Sequence, residues 1–236
     1  MKLIELQDLK KTYITGDTSY EALKGIDLIV RKGDFISIMG PSGSGKSTML
    51  HILGCLDVPT EGKYLLDGID IRKLDDDELS GIRNERIGFV FQAFNLLPKI
   101  SVLDNVMLPF LYSHVSKKEW KHRAIDVLKK VGLEDKLKNK PNQLSGGQVQ
   151  RVAIARSLVM DPSIILADEP TGNLDTKTGG QVMEIFETIH DEGKTIVIIT
   201  HENHIAKYAN ETVYLKDGLI EDRFINKKEM DLEKIK

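Results

Sequence analysis

The sequence predicts an α/β fold with a mostly parallel sheet, and three observations carry that expectation. The runs Ile164-Ile165-Leu166-Ala167 and Thr195-Ile196-Val197-Ile198-Ile199 are strand-sized and continuously apolar, as strands buried on both faces are. Segments with apolar residues at helical spacing separate them, the alternation that builds a parallel sheet. An earlier strand, ending at Ile38 and Met39, passes directly into the glycine-rich stretch Gly40-Pro41-Ser42-Gly43-Ser44-Gly45-Lys46-Ser47-Thr48, after which the spacing turns helical.

Composition narrows the class. The 236 residues are 41% hydrophobic and 29% charged, enough apolar material for a core and too much for a disordered chain. Thirty-three basic side chains against 36 acidic ones leave a net charge of -3, which argues against nucleic acid as a partner held by bulk charge. The single Cys55 excludes an internal disulfide and fits a reducing compartment. No apolar run approaches the ~18 residues of a membrane span. Residues 1–8 carry acids and alternation where a signal peptide carries a continuous apolar stretch. The expectation is a soluble, cytoplasmic chain whose membrane role, if any, comes through a partner.

Taken in order, Leu3, Ile4 and Leu6, then Ile26, Leu28 and Val30, then Phe35 to Met39 read as strands broken by Gly25 and Gly33. A helix follows from Ser47 to Leu56, carrying Cys55 as a small buried side chain. Pro59-Thr60-Glu61-Gly62 punctuates, and Tyr64 to Leu66 before Asp67-Gly68 reads as a hairpin arm. Asp75-Asp76-Asp77-Glu78 resembles a metal site, but carboxylates at adjacent positions do not converge on one ion. It reads better as the acidic first turn of a helix through Leu79 and Ile82. Residues 95–161 are the most helical, with amphipathic stretches at 120–131 and 148–160, the second stopped by Asp161-Pro162. A helix around 182–189 separates the two apolar strands. The segment after Asp222, rich in Lys and Glu, reads as a solvated helix or a frayed end.

The chemistry concentrates at three places. Gly40-x-x-x-x-Gly45-Lys46-Ser47 has the spacing of a phosphate-binding loop, whose glycines let backbone N–H groups turn toward phosphate oxygens at a helix N-terminus. Lys46 would reach the β- and γ-phosphates, and the Ser47 hydroxyl would coordinate Mg2+. Asp168 and Glu169 end an apolar strand, so Asp168 would hold Mg2+ through its water shell and Glu169 would act as base toward the attacking water. His201 stands at the carboxyl end of the next strand, where ligands of open parallel sheets gather. His201-Glu202-Asn203-His204 is one residue short of the zinc-helix spacing, and metal binding there is rejected. His51, His114, His122 and His190 read as ordinary surface or core residues. Leu144-Ser145-Gly146-Gly147-Gln148 is a second glycine-rich turn before a helix. Two phosphate-facing elements nearly a hundred residues apart suggest a site shared between two copies.

With the phosphate loop upstream of Leu-Ser-Gly-Gly-Gln, the chain resembles an ATP-binding cassette (ABC) ATPase over nearly its whole length. The resemblance implies one domain over 1–236. Its phosphate-loop NTPase core with a mostly parallel sheet and its antiparallel β subdomain fall at about 1–94 and 162–236, and a helical signature subdomain at about 95–161. It further implies that Tyr13, in Lys11-Thr12-Tyr13, stacks on adenine. Gln92, in Phe89-Val90-Phe91-Gln92, senses Mg2+ and the γ-phosphate and couples to a membrane partner. Asp175, in Gly172-Asn173-Leu174-Asp175, lies in a loop at a dimer interface, and His201 contacts the γ-phosphate. Family members close head to tail around two ATP molecules, each between one phosphate loop and Ser145 and Gly147 of the other copy. Two positions depart from the pattern. Gly172 stands where many members have Ser and lacks the hydroxyl for one contact across the dimer, and Val149 stands where Gln is common.

The stretches Gly54-Cys55-Leu56-Asp57-x-Pro59-Thr60-Glu61-Gly62 and Gly88-Phe89-Val90-Phe91-Gln92-x-Phe94-Asn95-Leu96-Leu97-Pro98 are similar to the macrolide-export, lipoprotein-release and antimicrobial-peptide-export subgroup. That likeness implies an ATP-hydrolysing subunit, peripheral on the cytoplasmic face of the membrane and paired with a four-span permease. Its alternatives are a cell-division ATPase driving a permease-like partner that transports nothing, and a soluble ABC ATPase. The latter usually carries coiled coils, zinc modules or a second cassette, for which 236 residues leave no room.

Overall fold

A computed structural model describes residues 1–226 and contains two sheets. The smaller is antiparallel, in the spatial order β2 (Thr18–Arg31), β1 (Lys2–Thr15), β4 (Glu61–Leu66) and β5 (Ile69–Asp70). The larger has the order β10 (Leu219–Ile225), β9 (Glu211–Lys216), β3 (Phe35–Met39), β8 (Thr195–Ile199), β7 (Ile164–Asp168) and β6 (Ile87–Phe91). All its pairings are parallel except that of β10 with β9.

Side-chain alternation explains the continuous apolar strands. On β8, Val197 and Ile199 pack into a core shared with the small sheet, α1 (Lys46–Leu53) and α2 (Asp76–Arg86). Ile196 and Ile198 face the opposite way, into a core with α3 (Val102–Met107), α4 (Lys117–Lys130), α5 (Gly146–Leu158) and α6 (Thr176–Asp191). Each residue is buried on one face or the other, so the run is apolar except at Thr195, whose hydroxyl accepts from the Gly33 N–H at 3.0 Å. Every such side chain contributes roughly 1.5–3 kcal/mol through burial.

The register also sets the functional edge. Phe91 pairs with Asp168 and Asp168 with Ile199, while Ile38 also pairs with Ile199. The residues that follow these strand ends, Gly40, Gln92, Glu169 and His201, therefore gather along one end of the sheet.

Asp75 caps α2, accepting from the Glu78 N–H at 2.8 Å, and the Glu78 carboxylate accepts from the Asp75 N–H at 3.0 Å. This reciprocal capping box explains the acidic cluster without a metal. In the helical stretch, α4 buries Ala124 and Leu128, and the Trp120 indole donates to the Val115 carbonyl at 2.9 Å.

Three expectations are corrected. The segment after Asp222 does not begin as a solvated helix or frayed end: through Ile225 it belongs to β10. Asp217 (φ 50) and Gly218 (φ 81) turn that chain back onto β9, a left-handed pair that favours a tight hairpin. The rest of that expectation, at 227–236, lies outside the described residues. The phosphate-loop helix ends at Leu53, and Cys55 sits past its C-cap at φ 54. Burial pushes the Cys55 thiol up to about 11. Finally, the first two strands are each 14 residues long, well beyond the apolar segments that announce them.

Candidate active site

A cleft of about 520 Å3 opens at the carboxyl ends of β3, β7 and β8, walled by the phosphate loop, Tyr20, Asp168, Glu169, Ile199 and His201. The loop turns on Gly40, at φ +150, where a Cβ would fall 1.9 Å from the Leu215 carbonyl oxygen and no side chain fits. Gly45, left-handed at φ 101, stands at the N-cap of α1 without any side-chain cap. The first N–H groups of α1 thus face the cleft with positive potential and no internal partner from a capping side chain. Pro41, Ser42, Gly43, Ser47 and Thr48 also line the cleft, and Ser44 is buried beneath it.

Lys46 anchors its ammonium on the Gly40 and Pro41 carbonyls, both at 2.8 Å. Burial lowers its pKa, against the opposing charges of Glu169 and Asp168. Burial and then the adjacent Glu169 charge raise the pKa of Asp168, while His51 and Lys46 oppose the shift. Glu169 has a left-handed backbone at φ 43, a conformation that costs on the order of 1–3 kcal/mol in a non-glycine residue. Its N–H donates to the Ile199 carbonyl at 2.9 Å, locking the strained turn to β8. Its Oε1 lies 2.9 Å from His201 Nδ1, so the carboxylate and imidazole form a hydrogen-bonded pair at the cleft wall. The Ser47 hydroxyl and the Asp168 carboxylate offer oxygen donors only, the set that suits Mg2+, and a divalent cation would relieve the crowding of the two acids.

Other expected residues lie elsewhere. Gln92 follows β6 outside the cleft lining, with its amide over Gly172, where a Cβ would stand 2.6 Å from Nε2. Its carbonyl accepts from Asn173 Nδ2 at 2.9 Å, which ties it to the 172–175 loop. The Gly172 departure thus makes room for the Gln92 side chain. Tyr13 also lies outside the lining, with its hydroxyl donating to Asp57 at 2.9 Å and Lys11 Nζ 4.9 Å from its ring centroid.

Ser145, Gly146, Gly147 and Gln148 are not part of their own chain's cleft. Ser145 caps α5, accepting from the Gln148 N–H, while Gln148 Oε1 accepts from the Ser145 N–H at 3.0 Å. Asp175 caps α6, accepting from the Thr178 N–H at 3.0 Å and the Thr178 hydroxyl at 2.6 Å, bonds that lower its pKa. Val149 is half-buried on α5. Sequence reasoning missed Tyr20, which lies in an exposed arm without apolar alternation. No local pattern marks it: its place directly across the ladder from Tyr13 is set by the strand register.

An open helix N-terminus facing a carboxylate–histidine pair is the arrangement of a phosphate-loop nucleoside triphosphatase, one wall binding phosphates and the other polarising water. The family model described as ABC transporter matches residues 23–172, and the chain belongs to that family, as an ATP-hydrolysing cassette. An ABC transporter ATP-binding protein of Thermotoga maritima is 53% identical over 93% of this chain and 94% of its own length. The macrolide export ATP-binding/permease protein MacB of Chlorobium phaeobacteroides is 52% identical over 92% of this chain, which spans 33% of that longer protein. A dimeric post-hydrolysis structure of the cassette MJ0796, from Methanocaldococcus jannaschii, bound to ADP and Pi, superposes with a TM-score of 0.86. The identity is 48%, covering 95% of this chain and 99% of that one.

Proposed function

We propose that two copies of this chain close head to tail around two ATP molecules and that their hydrolysis drives a membrane permease for export or membrane extraction. The observation that carries the reading is the separation within one chain of the phosphate-loop cleft from Ser145–Gln148. A second copy supplies the missing wall: the Ser145 hydroxyl and the Gly147 N–H meet the γ-phosphate, beside the 172–175 loop. The dimeric state of the MJ0796 cassette supports this assembly.

In the working site, Lys46 exchanges its two carbonyl partners for β- and γ-phosphate oxygens, and the α1 N-terminus holds the phosphate chain. Tyr13 carries the adenine. Glu169 accepts the proton of a water as its oxygen bonds to the γ-phosphorus, the bond from that phosphorus to the β–γ bridging oxygen breaks, and ADP and phosphate leave. His201 keeps Glu169 aimed and touches the γ-phosphate. Ser47 and Asp168 would hold Mg2+ in the cleft, joined by Gln92 once its side chain turns in from the 172–175 loop, and the ion would supply charge neutralisation on the phosphates.

The division into a core with β subdomain at 1–94 and 162–236 and a helical subdomain at 95–161 belongs to the same proposal. Between these parts a groove of about 230 Å3, walled by Arg83, Phe89, Phe91, Pro109, Arg156 and Met160, is the proposed seat of the permease. Leu111 and Tyr112 are exposed in the helical turn that supplies Pro109, and Gln92 directly follows Phe91. The proposed partner is a four-span permease and the proposed substrate a macrolide, peptide or lipoprotein; the macrolide export ATP-binding/permease protein MacB supports a permease partner and export. Among the described residues no helix is long and apolar enough to cross a membrane, so the reading places the chain on the cytoplasmic face through that permease.

The test is affinity purification of the tagged chain from detergent-solubilised membranes, with phosphate release measured against protein concentration. A co-eluting permease and a specific activity that rises with concentration are expected. Recovery without a membrane protein overturns the transport reading, and concentration-independent activity overturns the shared site.

A further inference from the structure

We propose that Tyr20 is a second nucleotide-contacting aromatic residue, which forms with Tyr13 a two-tyrosine platform for the nucleoside of the bound triphosphate. The inference rests on the nucleotide-hydrolysing reading of the cleft and extends it to a residue outside the glycine-rich motif.

Tyr13 on β1 and Tyr20 on β2 are direct register partners near the end of the first hairpin. Opposed residues of an antiparallel pair project from the same face, so both phenols leave the sheet on one side. Their hydroxyls then diverge around the phosphate loop. Tyr20 donates to the Gly43 carbonyl at 3.3 Å, and Tyr13 donates to Asp57 at 2.9 Å while interacting with the Thr48 hydroxyl. The hairpin end therefore bridges the loop from Gly43 to Thr48.

The strand that carries Tyr20 packs against the phosphate loop. Two residues beyond Tyr20, the Ala22 carbonyl presses on the loop so closely that a Cβ on Gly45 would fall 2.6 Å from that oxygen. The ladder shifts register between Lys11 and Thr12, which adds twist to the segment carrying the tyrosines. Tyr20 lines the cleft directly and remains 57% exposed, so one face of its ring is available to a ligand. Because its register partner Tyr13 is the residue that the proposed function places on adenine, a ring at Tyr20 meets the nucleoside end of the molecule.

The experiment compares binding of ATP and of inorganic tripolyphosphate, which lacks a nucleoside, to the wild-type chain and to Tyr20→Ala and Tyr20→Phe. The ring's exposure makes both variants compatible with folding. Stacking on an aromatic side chain predicts that Tyr20→Ala weakens ATP binding about five-fold or more, with tripolyphosphate unchanged. Tyr20→Phe keeps the ring and binds ATP as the wild type does. An unchanged ATP affinity in Tyr20→Ala overturns the proposal. So does an equal loss for tripolyphosphate, or a loss in Tyr20→Phe as large as in Tyr20→Ala, since either makes Tyr20 a brace of the loop through its hydroxyl. A wild-type chain that binds no ATP refutes the reading of the cleft itself, a result separable from all of these.

Discussion

Two helices of this molecule begin at glycine-rich turns, and they begin in opposite ways. At α1 the N-cap is Gly45, without a side chain, and the first-turn N–H groups face the cleft beside Lys46. At α5 the N-cap is Ser145, and it closes a reciprocal capping box with Gln148. Each turn has the same orphaned donors and the same dipole. In the first they are kept for an exogenous anion, and in the second the chain's own side chains satisfy part of them. In the proposed assembly the first turn wraps a phosphate chain and the second presents a finished surface to one. That division is what a site completed by another copy requires.

The largest expected break in this comparison is at the wall opposite α1. Glu169→Gln keeps the open turn, Lys46 and the shape of the strained residue, and removes only the base. Phosphate release falls by about 10²–10⁴-fold while ATP binding survives, and the variant accumulates as a dimer in ATP. Turnover equal to the wild type removes Glu169 from that role. Lys46→Ala comes next, because it strips the one cation of the open turn. ATP affinity drops by an order of magnitude or more (about 1.4 kcal/mol per ten-fold), read by equilibrium binding without turnover.

Ser145 separates the two turns most sharply. Ser145→Arg leaves the α1 cleft intact, so ATP binds as in the wild type, but the guanidinium blocks closure and hydrolysis is lost at every concentration. A monomeric Ser145→Arg chain with full activity breaks the shared-site model. Ser145→Ala removes the cap and costs about 0.5–2 kcal/mol of stability, visible as a lower Tm.

These contrasts were unevenly legible in the sequence. The helix start at Asp75–Glu78, the two-faced strands β7 and β8, and the glycine loop were readable because each rests on local rules: first-turn charge, periodicity and turn geometry. The outer half of the first hairpin was not. From Lys10 to Thr15 and from Thr18 to Glu21 nothing is fully buried, so no apolar alternation marks the strand. What holds it there is pairing across the ladder and contact with the phosphate loop, both tertiary. Tyr20 was lost with it. The Asp217-Gly218 pair, by contrast, is a local hairpin signal in the sequence, and it lies just before the charged segment that reads as solvated. The Glu169–His201 pair required the parallel register of β7 and β8, which periodicity does not reveal.

The smallest effect concerns Asp168, and it runs against intuition. Its pKa is raised by burial and by the charge of Glu169. An acid whose folded pKa lies above its unfolded one binds more protons folded than unfolded within that window. Stability is therefore lost, not gained, as pH rises through it, and at neutral pH the ionised carboxylate opposes folding. Asp168→Asn keeps the size of the side chain and removes the charge. It should raise Tm by a few degrees in the absence of nucleotide and Mg2+ while abolishing the stabilisation that ATP with Mg2+ gives the wild type. The gain should shrink below the normal carboxylate range, where Asp168 is protonated in both states. A variant less stable than the wild type at neutral pH would show that Asp168 holds the fold together. It would then not be a charge kept at the cleft for what binds there.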